Sequence, residues 1–527
     1  MKKIFNLVMV ALSAIVLFSC DKQDDDPVIH KAPEMIWAAN PDFAVTKLAQ
    51  EMDINIKVKA EAGIKTFVVK VNSSTLSPVI EQLTSDSSAN MNLIGDIDLI
   101  NSLNTLTGGI LPMGDQLENK TEVDFNLSSL VPMILEFSPA KGSDHEFTLD
   151  VTDMDGQNLS KKLTFHYSGE SKVAVEKVDL WNNTAVLNAS FADDVKSPAL
   201  FFGKKGETLF EIKADSAGTY IVAPEYEKSV NDGGNEIFSL KEGTGVFAGN
   251  DYVAELRDGE KVMATLEYTT DNGDVIPNGN MSGWSFREWK DASNKAYKIT
   301  YPNVDGEQFW DSGNNAFLEQ YDEQGNATIM TPLCMQGEEA GTALLSARKV
   351  LGFVFAPGNM YTGDFEYSGF TGTAKFGKRY EWTARPSALK VRFKANVGLV
   401  DNVGSYDPEK DSWSGKQDIS RIYVAVIDWN AQHGVTSGMG EPSGMWDPIK
   451  EKSVDEGAII GYASLDITES TEGFVTEDIT FNWYDTKAKP AEGNYSIVIS
   501  CATSSRGDYL TGCGDNTLVI DNLEWVY

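Results

Sequence analysis

Met52-Asp53-Ile54-Asn55-Ile56-Lys57-Val58-Lys59 carries an apolar side chain at every second position. An extended chain with that period sets one face on a core and the other in water, as in an antiparallel sandwich. Gly63 marks a turn, and Lys65-Thr66-Phe67-Val68-Val69-Lys70-Val71 follows as the next strand. Glu146-Phe147-Thr148-Leu149-Asp150-Val151 and Lys162-Leu163-Thr164-Phe165-His166-Tyr167 close the segment in the same manner. Between these pairs the period changes. Leu93, Ile97, Ile100 and Leu103 recur at three and four residues, which predicts an amphipathic helix ending near Gly108-Gly109. Ser128-Ser129-Leu130-Val131-Pro132 predicts a second short helical turn.

Residues 34–170 therefore resemble an Ig-like domain with a helical insertion. Residues 171–271 read as a plainer Ig- or fibronectin-like sandwich. Val178-Asp179-Leu180-Trp181 and Ala185-Val186-Leu187-Asn188-Ala189 pair around Asn182-Asn183-Thr184. Further strands fall at Ala199-Leu200-Phe201-Phe202, Thr219-Tyr220-Ile221-Val222 and Gly245-Val246-Phe247, and Tyr252 stands where a tyrosine corner would lie. No Cys…Trp…Cys spacing is present, so the likeness is one of architecture. Both N-terminal sandwiches read as spacers. Residues 272–527 hold nine of the 11 tryptophans, with short strands, frequent turn residues and no long helix. That pattern fits one jelly roll. The expected fold class is all-β: two Ig-like β-sandwiches, the first with short helical insertions, followed by a larger jelly-roll β-sandwich.

Charge narrows the function. Lys+Arg number 44 against 78 Asp+Glu, a formal net charge of −34. A field of that sign repels phosphate backbones and anionic headgroups, so nucleic acid is excluded as a partner. Four histidines and four cysteines are scattered, which removes zinc fingers and a disulfide-stapled scaffold. Cys501 and Cys513 would pair across a hairpin in an oxidising compartment or stay as thiols; the spacing leaves both open.

The N-terminus reads as an address. Lys2 and Lys3 precede an apolar run over residues 4–18, shorter than the ~20 residues a span requires. Leu17-Phe18-Ser19-Cys20 resembles the bacterial lipobox, which implies that residues 1–19 are a lipoprotein signal peptide and that Cys20 carries the lipid. Residues 20–33 form an acidic tether. Asp21-Lys22-Gln23-Asp24-Asp25-Asp26 resembles the surface-export signal of Bacteroidetes lipoproteins, implying outer-membrane attachment facing the extracellular side. Membrane contact is then through the lipid alone.

Four motifs in order carry a wider resemblance: Phe309-Trp310-Asp311-Ser312-Gly313-Asn314, Ala356-Pro357-Gly358-Asn359-Met360-Tyr361-Thr362-Gly363, Phe376-Gly377 with Arg385-Pro386-Ser387-Ala388-Leu389-Lys390, and Ser504-Ser505-Arg506-Gly507-Asp508-Tyr509-Leu510-Thr511-Gly512 leading into Val519-Ile520-Asp521-Asn522-Leu523-Glu524-Trp525. Together they resemble the carbohydrate metabolism domain of Bacteroidetes surface lipoproteins. The resemblance implies a jelly roll akin to carbohydrate-binding modules, with a role in glycan handling.

Sugars present C–H faces and rings of hydroxyls, so a site for them joins flat aromatic platforms to planar polar groups. Trp284, Trp289, Trp310 with Asp311 and Asn314, Trp382 with Arg385, and Trp429 are the candidate carbohydrate-binding residues. Arg506-Gly507-Asp508 mimics an adhesion tripeptide but reads as turn chemistry. Asn280 and Asp521 resemble the terminal ligands of calcium-stabilised jelly rolls, implying a structural Ca²⁺, although Asn280, Met281 and Ser282 replace the usual acidic pattern. Catalysis would require a carboxylate pair. Asp311, Glu319, Asp322, Glu381 and Asp428 are eligible, and the sequence selects no pair among them. A Ser-His-Asp arrangement would have only His433 to draw on.

The leading function is a cell-surface outer-membrane lipoprotein that binds an oligo- or polysaccharide through its jelly roll and assists glycan capture. The alternatives are a glycoside hydrolase in the same domain and a structural or adhesive surface protein with protein partners. Cys20→Ala is expected to release the protein from membranes, because the lipid is the one anchor in the reading. Sedimentation of the variant with outer membranes would refute it.

Overall fold

A computed structural model describes residues 29–48, 52–84, 89–108, 111–137, 141–290, 294, 296–304, 308–313, 319–321, 327–329, 332–350, 354–368 and 371–527. The fold is all-β, built of stacked sheets, as the alternation predicts. Cys20 lies outside the described residues. Among the described residues no helix is long and apolar enough to cross a membrane.

The described residues before Ser171, with Ala192–Asp194, form one compact unit. Its five-stranded sheet runs Ala44–Val45, Asn158–Gly169, Lys141–Asp153, Ile64–Ser73, Asn90–Asn92, and a three-stranded sheet orders Glu34–Ile36, Asn55–Lys59, Glu122–Asn126. Ile54, Ile56 and Val58 are buried on alternate positions, as their period requires. The predicted helix spans Ile97–Thr107 and ends at Gly108, whose left-handed φ of 59° suits a residue without Cβ. Leu93 precedes that helix, and the second helical turn extends over Leu130–Phe137. A third helix, Leu76–Thr84, was not legible from spacing. Its start is fixed by Ser73 Oγ, which accepts the Leu76 N–H at 3.0 Å.

Residues 171–191 and 195–527 form the second unit, which joins the two segments read as separate domains. The smaller sandwich has its own core, including Leu187, Leu200, Tyr252 and Leu256. The tyrosine corner is present: Tyr252 Oη accepts the Phe247 N–H at 2.8 Å, and burial pushes the phenol up to about 12. That bond corrects one expectation. Residues 245–247 are no strand, because the Val246 and Phe247 N–H groups are taken by the Asn183 carbonyl and Tyr252.

The jelly roll faces a five-stranded sheet (Cys334–Gln336, Ala343–Ser346, Thr517–Val526, Ala388–Asn396, Val475–Thr480) against an eleven-stranded one. The main path of the latter runs Tyr226–Val230, Glu236–Leu240, Asn482–Trp483, Gly457–Ile467, Ser420–Trp429, Tyr495–Ala502, Asn359–Ser368, Thr371–Phe376, His433–Gly438. Its first two strands come from the segment read as the second sandwich, so backbone pairing crosses the expected boundary at residue 271.

Side chains reinforce that crossing. Trp181 packs in the core of the jelly roll, 6.0 Å from the Trp382 ring and 6.2 Å from Trp483. Arg385 is buried between Trp181 and Trp483, its guanidinium 4.7 and 4.4 Å from their ring centroids. It donates to the carbonyls of Trp181 at 2.9 Å and Ala488 at 3.1 Å. A buried cation is tolerated only when its donors are satisfied in this way. Trp181→Ala is expected to cost about 3–5 kcal/mol, because it opens a cavity and uncovers that cation. Urea unfolding of the full chain measures the loss; a change under about 1 kcal/mol would show that the two segments are not energetically joined.

Candidate functional site

The large sheet has two unlike faces. On Ser420–Trp429, the side chains of Ile422, Val424 and Val426 enter the core shared with the five-stranded sheet. Ala425, Ile427 and Trp429 enter a smaller cluster on the opposite face, with Tyr423 and Trp446 packed at its edge. Cross-strand register lines up that second face. Ser500 stands between Tyr361 and Tyr423 in one row, and Ala502 stands between Asn359 and Arg421 in the next. Small residues on the central strand flanked by large ones on its neighbours leave a trough.

Two loops wall the trough. One follows His433–Gly438 and folds back through paired Thr436–Ser443 backbone bonds. Gly444 permits this: its φ is +74°, and a Cβ there would lie 2.1 Å from the Gly434 carbonyl oxygen. His433 latches the loop, with Nδ1 2.6 Å from Glu456 Oε2 and Nε2 2.7 Å from the Gly444 carbonyl oxygen. Both ring nitrogens are thereby occupied, so His433 serves the loop and is not free to act as a base. The loop presents Trp446, half-buried, with its ring edge-on to Trp429 at 5.2 Å and Tyr423 at 5.7 Å.

The other wall is the turn after Tyr495–Ala502. Arg506 is drawn inward: Nε donates to Asp407 Oδ2 at 2.8 Å, and its guanidinium lies 5.2 Å from the rings of Trp413 and Tyr509. Burial alone would raise the Asp407 carboxyl, but the Arg506 hydrogen bonds outweigh it and hold it below the usual range. Gly507 lies against Pro357, where a Cβ would meet Cγ at 2.6 Å. The next residue, Asp508, lines the trough. Arg506-Gly507-Asp508 is therefore a built turn and not a displayed tripeptide.

Three cavities of about 260, 210 and 290 Å³ meet along this face, and Asp508 lines all of them. The first is mixed in character, with Tyr361, Tyr423, Trp446, Arg421, Asp447 and Ser500; the second is mainly apolar, with Phe355, Phe365 and Met439. Arg421 is spent on Asp466 and on Asp447, the latter at 3.2 Å from Nη1. Asp447 also accepts the Ile449 N–H at 2.9 Å, and Glu451 accepts the Asp447 N–H. Asp508 differs. Among the described residues its carboxylate has no hydrogen-bond or ion-pair partner, and only its backbone carbonyl is engaged, by Ser437 Oγ at 2.7 Å. Solvent reaches it, yet the surrounding walls strip enough water to push its carboxyl up to about 6.

Most residues singled out from sequence lie elsewhere. Trp310, Trp382 and Trp429 are buried and cannot offer a face to a ligand. The Trp310 and Trp382 indoles donate to the carbonyls of Pro277 at 2.8 Å and Ser496 at 3.1 Å, as core tryptophans do. Asp311 is buried and accepts from Gln308 and from the Ser312 and Phe365 N–H groups. Arg385 is the buried cation described above. These five are corrected to core and joint residues. Trp284 is half-buried against the main core and donates to the Met281 carbonyl at 3.0 Å. Asn314 and the Trp289 side chain lie outside the described residues.

The calcium expectation meets a poor donor set. The two ends of the jelly-roll segment do meet, with Leu523 N–H donating to the Gly279 carbonyl at 2.9 Å. However, Asp521 is ion-paired with Arg392, and Asn280 Oδ1 accepts from Ser282 Oγ at 2.9 Å. A hard cation requires six to eight oxygens, and the guanidinium stands where it would compete, so these residues do not fit Ca²⁺. Cys334, Cys501 and Cys513 are buried free thiols, which answers the open pairing of the last two.

Residues 285–526 match a family model described as "PCMD: Putative carbohydrate metabolism domain". No curated protein matches the chain. Among solved structures, a Bacteroides thetaiotaomicron protein described as a "putative glycoside hydrolase" is 15% identical, with a TM-score of 0.31, covering 67% of this chain and 98% of that one. A Bacteroides vulgatus protein described likewise is 16% identical, TM-score 0.25, covering 48% and 95%. The Bacteroides ovatus mixed-linkage glucan utilization locus SGBP-B, solved with a mixed-linkage heptasaccharide, is 9% identical, TM-score 0.14, covering 91% and 100%. Similarity at these scores carries no argument about chemistry.

Asp508 has a measurable signature. Its folded-state carboxyl titrates above the unfolded value, so the folded state binds the proton more tightly. Stability is then full at low pH and falls as pH rises towards about 6. Asp508→Asn removes that cost and should raise Tm at pH 7.5 by roughly 2 °C. The gap between variant and parent should shrink as pH falls towards 4. Calorimetry of both proteins across that range checks it; a constant gap would mean that the carboxyl is unperturbed.

Proposed function

We propose that the chain is a carbohydrate-binding protein whose ligand lies in the trough on the outer face of the large sheet. One observation carries the reading: half-buried rings, Trp446 and Tyr423, stand beside Asn359, Arg421, Asp447, Ser500 and Asp508 in a single open trough. Rings stack on the C–H faces of a pyranose while the polar groups take its hydroxyls. The family match over residues 285–526 supports the same substrate class. Three joined cavities suit an oligosaccharide better than a single sugar. Lipidation at Cys20 and the acidic tether would hold this trough outside the cell, where a surface lipoprotein captures glycan.

Binding is preferred over hydrolysis on the carboxylate inventory. Glycoside cleavage by an enzyme pair needs two carboxyl groups facing each other across the bond. Asp447, Glu451 and Asp508 are the acids lining the cavities, and the first two are committed to Arg421 and to the loop backbone.

Trp446→Ala tests the reading against a glycan array displaying the full chain. A stacking ring is worth about 1–1.5 kcal/mol, so affinity for a bound glycan should fall about tenfold. The change in Tm should be small beside that of Trp382→Ala, whose ring is in the core. Unchanged glycan binding by Trp446→Ala, or no glycan bound by the parent, would remove the trough as a sugar site.

A further inference from the structure

We propose that the trough selects a saccharide bearing a free ammonium group, a 2-amino-2-deoxy sugar, with Asp508 as its counter-ion. This rests on the carbohydrate reading above and specifies its substrate class. Arg421 is matched by Asp447 and Asp466, and Arg506 by Asp407 and Glu409. Lys450 is mostly exposed at the rim, 3.8 Å from Asp447. No cation of the described chain meets Asp508, although it lies at the junction of all three cavities.

Asp508 is exposed within the trough and unpaired there, so its carboxylate is open to a cation that a ligand supplies. The surroundings favour a cation over a neutral hydroxyl. Burial is what chiefly pushes the Tyr361 and Tyr423 phenols upward, and the nearby Asp508 charge adds to it, so the same rings border the ligand position. Aromatic faces attract ammonium groups through their quadrupole, and a carboxylate adds a charge-assisted hydrogen bond. The net charge of −34 lends long-range attraction to cationic glycans and repels anionic ones.

The test uses the full chain in detergent on an array where each hexosamine glycan is present twice, as the free amine and after N-acetylation. Binding should favour the free amine about tenfold, the value of one charge-assisted contact. Asp508→Asn should abolish the preference, and calorimetry of the variant beside the parent reports that it is folded. Equal or tighter binding of the N-acetylated forms, or a preference that survives Asp508→Asn, overturns the ammonium assignment and leaves the carbohydrate reading intact. Failure of the parent to bind any glycan overturns both.

Discussion

The large sheet is buried on one face and only partly covered on the other, and the rest of the jelly roll follows from that inequality. The inner face rests on the five-stranded sheet through Ile422, Val424, Val426, Ile497 and Ile499. Among the described residues, the cluster on the outer face draws on no second large sheet. That face is covered by its own aromatic side chains and by a loop pinned through His433 and Gly444. A sheet covered by loops retains gaps where one covered by another sheet does not, because loops cannot interdigitate along its whole length. The trough is the part of the face left open.

Charge economy shapes both the joint and the trough. Arg385 is taken out of water completely, which is tolerable because two tryptophan faces and backbone carbonyls replace its hydration. Around the trough, Arg421 and Arg506 are held by carboxylates, which fixes the walls. Asp508 stands apart in this scheme. Its neighbours in sequence are committed to the fold: Arg506 to Asp407, Gly507 to contact with Pro357, and Tyr509 to the Arg506 cation. The turn thus holds one unmatched group at the junction of the cavities, the arrangement expected of a group kept for a ligand.

Much of the architecture was legible beforehand, and the residue choices were less so. Strand positions, the helix capped by Gly108 and the tyrosine corner at Tyr252 all follow from local periodicity and turn chemistry. The tryptophans misled for an understandable reason. Phe309-Trp310-Asp311 joins a ring to a planar acid, as a sugar site does, yet the same pairing serves a strand whose acid ties down nearby backbone N–H groups. Neighbouring residues in sequence do not reveal which of these uses applies. Trp446, in Gly444-Met445-Trp446-Asp447, pairs a ring with an acid in the same way, and nothing local marks its ring as the one that lines the trough.

The sequence by itself determined the all-β class, the approximate strands and the turns, because φ/ψ preference and alternation act over a few residues. It could not determine which face of the central strand is open. Ile422-Tyr423-Val424-Ala425-Val426-Ile427 is apolar throughout, and a continuous apolar run has no alternation from which to read a face. Nor could it divide the chain at the right places, since Trp181 and Glu236–Leu240 join a core and a sheet built from residues hundreds of positions later. Only the tertiary structure brought Arg506 to Asp407, 99 residues away, and left Asp508 without a partner. Pairings at that separation depend on how the whole chain closes, and no local pattern records them.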